Sequence, residues 1–136
     1  VMPESVILIA DPQREQRDRL ALSLMTTGLA ARVLPSENGR RLITEYARAL
    51  RREDSVVAIV LEVSLPIVGG KTASIAMRCL EQAFEQPPAP ILFHSDKPED
   101  ANLQRVMAYV KRSRFLPRGE ALQIAEVVQA LQEMLR

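Results

Sequence analysis

At 136 residues the chain is long enough to bury one sizeable core, and it is read as a single domain over 1–136. With 47% apolar and 26% charged residues and a formal net charge of +1, it has the balance of an ordinary globular protein and gives no overall charge argument for nucleic acid or membrane binding. No apolar run approaches the roughly 20 residues of a spanning helix, the amino end carries no cleavable signal pattern, and the lone Cys79 cannot close an internal disulfide, so a cytoplasmic location is expected.

Val6 to Ala10 is an uninterrupted apolar run bounded by Ser5 and Asp11-Pro12, which predicts a first strand. Arg14 to Thr26 follows as a helix, with Leu20 and Leu24 at helical spacing and Gly28 as its stop signal. Ala31 to Leu34, closed by Pro35, predicts the second strand. After the Asn38-Gly39 turn, Leu42, Ile43, Tyr46 and Leu50 share one face of a helix whose other face carries Arg41, Arg48, Arg51 and Arg52. Val56 to Leu61 reads as a third strand covered on both faces, and Glu62 ends it. Pro66 and Gly69-Gly70 mark a turn. The helix from Lys71 is predicted to bury Ala76, Leu80, Ala83 and Phe84 and to end before Pro87-Pro88.

Pro90 to His94 predicts the fourth strand, with Ser95 opening its exit loop. A fourth helix then carries Leu103, Val106, Met107 and Val110 inward. Ser113 to Leu116 is the fifth strand, broken at Pro117, and Ala121 to Leu135 the last helix, striped by Ile124, Val127, Val128, Leu131 and Leu135. Strict alternation with apolar strands implies an α/β fold, a parallel sheet with helices on both faces. In such sheets ligands bind beyond the carboxyl ends of the strands, which makes Glu62 a site candidate.

Several residues have a plain structural reading. Asp11 followed by Pro12 suits a helix cap and first helical turn. His94 is the only histidine, and with no Cys or second His nearby it is assigned to packing or hydrogen bonding rather than to a metal. Arg105, Lys111, Arg112, Arg114 and Arg118 make the region of the fifth strand basic, but without interleaved aromatics they point to a solvated or protein-binding face.

Motifs in a fixed order carry a family resemblance. Ile9-Ala10-Asp11 ends the first strand with Arg17 beyond it, and Glu37-Asn38-Gly39 follows the second. Glu62 precedes Pro66 and Gly70, Ser95 ends the fourth strand, and Phe115 stands before Arg118. Over essentially its whole length the chain resembles the CheY-like receiver domains of response regulators, the phosphoacceptor modules of two-component signalling. The resemblance implies a flavodoxin-like (βα)5 fold, a doubly wound parallel sheet in the order 2-1-3-4-5.

It also marks departures. Receivers carry a phosphorylatable Asp where this chain has Glu62, an acidic pair where it has Asp11-Pro12, and Lys-Pro where it has Arg118-Gly119. The hydroxyl position, Ser95, and the switch aromatic, Phe115, are filled normally. Mg²⁺ demands near-octahedral oxygen ligands, Pro12 supplies none, and Glu62 is one methylene longer than Asp, so metal binding and phosphoryl transfer should both fall steeply. The chain resembles a degenerate or pseudo-receiver: no enzyme, with no cofactor (Mg²⁺ included) and no metal expected, Asp11 and Glu62 being weak candidates. Its action would be phosphorylation-independent contact with a protein partner, an output domain or a second copy, through the helix 4/strand 5/helix 5 face with Arg105, Tyr109, Lys111 and Arg114. No membrane or direct nucleic-acid contact is expected.

Two alternatives stand beside this reading. One is a conventional phosphorelay receiver with residual phosphoacceptance. The other is a P-loop-like NTP-binding module using Gly70-Lys71-Thr72, against which stand Leu65 where the motif needs Gly and Pro66, which lacks an N–H. Three geometric expectations follow. The Arg118-Gly119 bond should be trans, since a cis bond before a non-proline residue costs about 2.5–4 kcal/mol. Glu62 and Arg118 should form a charge-assisted contact through two parallel bonds, with Ser95 adding a third and Phe115 held in one rotamer. Such a pair, taken as partly exposed, should be worth at most about 1 kcal/mol.

Overall fold

The computed structural model describes residues 2–119 and 121–136. Its strands are β1 (Ser5–Ala10), β2 (Arg32–Ser36), β3 (Ser55–Glu62), β4 (Ile91–Ser95) and β5 (Ser113–Pro117). The helices between and after them are α1 (Arg14–Met25), α2 (Gly39–Arg51), α3 (Gly70–Ala83), α4 (Ala101–Val110) and α5 (Ile124–Met134). All strand pairs are parallel, in the order β2-β1-β3-β4-β5. This is the doubly wound flavodoxin-like arrangement.

Side-chain alternation along the strands divides the core in two. Leu8, Ala10, Ile59, Leu61, Ile91 and Phe93 pack under α2, α3 and α4 with Leu42, Tyr46, Met77 and Leu103. Ile7, Ile9, Ala58, Val60 and Leu92 pack under α1 and α5 with Leu20, Leu24, Val127 and Leu131. Asp11, Glu62 and His94 continue the second series, so alternation alone delivers all three to the α1/α5 side at the carboxyl edge of the sheet.

Some boundaries differ from the sequence reading. β2 runs through Pro35 to Ser36, which is tolerated because β2 is an edge strand and Pro35 is exposed. α1 ends at Met25, with Gly28 at φ 74 after it. α5 starts at Ile124, and the three residues before it lie outside the helix although Leu122 is buried.

The larger correction is the buried face of α3. It consists of Ala73, Ser74, Met77, Arg78 and Glu81, while Ala83 is exposed and Ala76, Leu80 and Phe84 are only partly buried. The reason is a closed polar network. Arg78 Nε donates to the Val110 carbonyl at 2.6 Å, and Nη2 donates to those of Ala89 and Lys111 at 2.9 and 3.1 Å. Nη1 meets both oxygens of Glu81 at 2.9 Å, and Glu81 also accepts from Ala89 N at 2.8 Å and from the Tyr46 hydroxyl. Burial, then the bond and charge of Glu81, push the Tyr46 phenol well above its ordinary range. With its polar atoms paired, the network can be buried as tightly as the apolar core it joins.

Two glycines fix the β3–α3 loop. A Cβ on Gly39 would lie 1.8 Å from the Val68 carbonyl oxygen, and one on Gly70 would lie 2.5 Å from that of Glu62. The loop after Glu62 is therefore pressed against the start of α2 on one side and the start of α3 on the other.

Candidate functional site

At the carboxyl edge of the sheet, Glu62 is paired in register with His94, and Asp11 directly follows Ala10, the partner of Leu61. Asp11 and His94 are 0% exposed and Glu62 2%. Arg118 leaves β5 with its N–H donating to the Ser95 carbonyl at 2.9 Å, which turns its side chain into the same space.

Asp11 is held by both carboxylate oxygens and Glu62 by one. Asp11 Oδ1 accepts from Gln13 N at 2.8 Å, and Oδ2 accepts from Gln16 Nε2, whose own Oε1 accepts from Leu122 N at 3.0 Å. Arg17 Nη1 donates to the Asp11 carbonyl at 2.8 Å. Asp11 is thus no helix cap: the N-cap of α1 is Gln13, and Pro12 lies outside the helix. Glu62 Oε1 accepts from Ser64 N at 3.3 Å. Its Oε2 lies 3.3 Å from His94 Nδ1 and 3.3 Å from Arg118 Nη1. Asp11 Oδ2 lies 4.0 Å from His94 Nε2 and 3.9 Å from Arg118 Nη1.

None of these four approaches is a hydrogen bond. Among the described residues, Glu62 Oε2, both ring nitrogens of His94 and Arg118 Nε are buried without a partner. A buried polar atom without a partner costs about 1–3 kcal/mol, so these atoms favour a further partner. Burial pushes the Glu62 carboxyl up, but the His94 imidazole and the Arg118 guanidinium beside it, with the Ser64 N–H, more than offset this and leave it below its ordinary value of 4.5.

The expected meeting of Glu62 and Arg118 is present, with three corrections. The contact runs through Nη1 alone rather than two parallel bonds. The pair is buried, at 3% and 8% side-chain exposure, rather than partly exposed. Ser95 takes no part, because alternation turns it to the opposite face of the sheet, where its Oγ accepts from Lys97 N at 3.1 Å. There, with Phe115, Leu103 and Val63, it lines a cavity of about 180 Å³. No cis peptide bond occurs among the described residues, and Arg118-Gly119 is trans with Gly119 at φ 66.

His94 is the residue sequence reasoning missed. Counting alternation from Leu92, which packs toward α1 and α5, would have placed it beside Glu62. Gly70-Lys71-Thr72 opens α3 but forms no phosphate cradle: Gly70 N is spent on the Val63 carbonyl at 2.9 Å, and Lys71 Nζ reaches away to Asn102 Oδ1 at 2.8 Å. Arg105, Tyr109 and Lys111 are exposed on α4 and its exit, Tyr109 at 61%, and Arg114 on β5 pairs with Glu133 of α5 at 2.6 Å. No helix among the described residues is long and apolar enough to cross a membrane.

No family model matches the sequence, and no curated protein matches it. Solved structures do. The receiver domain of the histidine kinase CKI1 from Arabidopsis thaliana, complexed with Mg²⁺ and BeF₃⁻, superimposes with a TM-score of 0.75 at 18% identity, over 94% of this chain and 89% of that one. The fold is that of receiver domains. The chemotaxis protein CheY4 of Vibrio cholerae gives 0.74 at 16% identity, over 99% of this chain and 100% of that one. A chain of the Saccharomyces cerevisiae co-crystal of the phosphotransfer protein Ypd1 with the Ssk1 receiver domain gives 0.72 at 15% identity, over 98% and 90%.

Proposed function

We propose that this chain is an atypical receiver domain of two-component signalling that works by protein contact without being phosphorylated. The observation that carries the reading is the state of Glu62. At the position equivalent to the receiver phosphoacceptor stands a longer carboxylate, 2% exposed, with its free oxygen 3.3 Å from Arg118 and from His94. An incoming phosphodonor would have to reach a nucleophile that is both covered and already faced by positive charge. Pro12, in the place of a metal-binding acid, offers no side-chain oxygen to Mg²⁺.

The CKI1 receiver was solved with Mg²⁺ and BeF₃⁻, and the Ssk1 receiver with a phosphotransfer protein. By analogy this chain keeps the docking role of a receiver and has lost the Mg²⁺-dependent chemistry. Arg118 supplies between the two carboxylates the positive charge that metal supplies elsewhere, so the pocket rests in one charge state. The contact face is that of α4, β5 and α5, where Tyr109 is the exposed apolar group and Arg105, Lys111 and Arg114 give cationic surroundings.

Amide hydrogen exchange on this face, with and without acetyl phosphate and Mg²⁺, tests the reading. Unchanged protection is expected. A change in α4 and β5 on adding the phosphodonor, abolished by Glu62→Gln, would return the chain to the conventional phosphorelay class.

A further inference from the structure

The chemistry of the buried cluster goes beyond this reading and does not depend on it. Asp11, Glu62 and His94 each bring one ligand atom to a common space, all within 4.8 Å of one another. Donors held at about 2.0–2.2 Å on one tetrahedral ion stand about 3.4 Å apart, so closing the set requires side-chain movements of about 1 Å. His94 is 0% exposed, and neither of its ring nitrogens makes a hydrogen bond. A histidine that merely filled core space would spend at least one nitrogen on a backbone or side-chain partner. Here the ring stands between two carboxylates, Nδ1 toward Glu62 and Nε2 toward Asp11.

We propose that Asp11, Glu62 and His94 form a site for a first-row divalent transition ion of the zinc class, bound in competition with the Arg118 guanidinium. The donor set selects the class. An imidazole nitrogen with two carboxylate oxygens suits Zn²⁺ and its neighbours, whereas Mg²⁺ and Ca²⁺ take oxygen ligands. Three protein donors leave one position for water, the pattern of an open site. The supporting shell is present: Gln16 fixes Asp11 Oδ2 and is itself anchored on Leu122 N, while Ser64 N holds the far oxygen of Glu62.

Arg118 occupies the entry. Its Nη1 lies 3.3 Å from Glu62 Oε2 and 3.9 Å from Asp11 Oδ2, the two oxygens an ion would bridge, yet it completes no hydrogen bond to Glu62 Oε2. Metal entry and Arg118 release are one event, and the ion would thereby move a residue at the end of β5, beside the contact face.

The test is calorimetric titration of the full chain with Zn²⁺ in a non-chelating buffer, with Co²⁺ visible absorption to report nitrogen and oxygen ligation. One equivalent of Zn²⁺ should bind, resist millimolar Mg²⁺, and leave Cys79→Ser unaffected. Gln16→Ala should weaken binding by about 10–100-fold, and His94→Gln by more. Arg118→Ala should tighten it by about tenfold or more, a direction that neither an adventitious surface site nor a misfolded variant would give. Absence of binding by both wild type and Arg118→Ala overturns the proposal. So does binding that survives His94→Gln in a chain whose circular dichroism is native, or that is unchanged in Arg118→Ala.

Discussion

Glu62 Oε2 lies 3.3 Å from His94 Nδ1 and 3.3 Å from Arg118 Nη1, so one oxygen at the end of β3 is shared by groups from β4 and from the end of β5. The pair with Arg118 is buried, and breaking a buried pair strands the remaining charges. Arg118→Ala is expected to lower stability by about 3 kcal/mol in urea denaturation at pH 7, well above what an exposed pair is worth. Adding Glu62→Gln to Arg118→Ala should recover part of that loss. A loss below about 0.5 kcal/mol would mean that Arg118 stands in solvent.

Glu62 also sets a pH dependence. Its carboxyl is depressed below its ordinary value of 4.5, chiefly by His94 and Arg118 against the opposing effect of burial. The native state therefore holds the proton less well than the unfolded chain. The resulting stabilisation is fully present above 4.5 and is lost as pH falls through the lower native value. Urea midpoints measured from pH 7 down to pH 3 should fall less steeply below pH 4.5 for Glu62→Gln than for the wild type. Identical acid limbs would contradict the assignment.

The network under α3 gives a second stability test far from the site. Tyr46→Phe removes one hydrogen bond to the charged Glu81 and should cost about 1.5–3 kcal/mol. Arg78→Ala leaves Glu81 buried beside Tyr46 with only the Ala89 N–H and the hydroxyl, and should cost about 3–5 kcal/mol. Because the two changes share Glu81, their costs should not add, and a double-mutant cycle reads the coupling.

Two glycines should respond differently to a methyl group. At Gly39 a Cβ would strike the Val68 carbonyl oxygen at 1.8 Å, so Gly39→Ala must displace the loop that follows Glu62, at about 1–3 kcal/mol. Gly119 has open space but φ 66, so Gly119→Ala should cost about 1–2 kcal/mol of backbone strain and leave the loop in place. The chemical shifts of Glu62 and Ser64 amides should move in the first variant and not in the second.

The strands were legible because a strand covered on both faces is written as an unbroken apolar run, as in Val56 to Leu61. Strand order was not contained in those runs and came through the family resemblance. The α3 face was misread for a physical reason: Arg78 and Glu81 look like surface residues until Tyr46 from α2 and the carbonyls of Ala89, Val110 and Lys111 supply their partners. Glu62 was picked out by its place at a strand end, and Asp11 and Arg118 through the family resemblance. His94 was overlooked because a single histidine was weighed by its neighbours in sequence rather than by the face that alternation gives it.

The central claim, that the pocket at Glu62 is closed to phosphoryl transfer, is tested most directly by intact mass after incubation with acetyl phosphate and Mg²⁺. The account predicts an unchanged mass for the wild-type chain. A stoichiometric gain of one phosphoryl group, lost in Glu62→Gln, would contradict it.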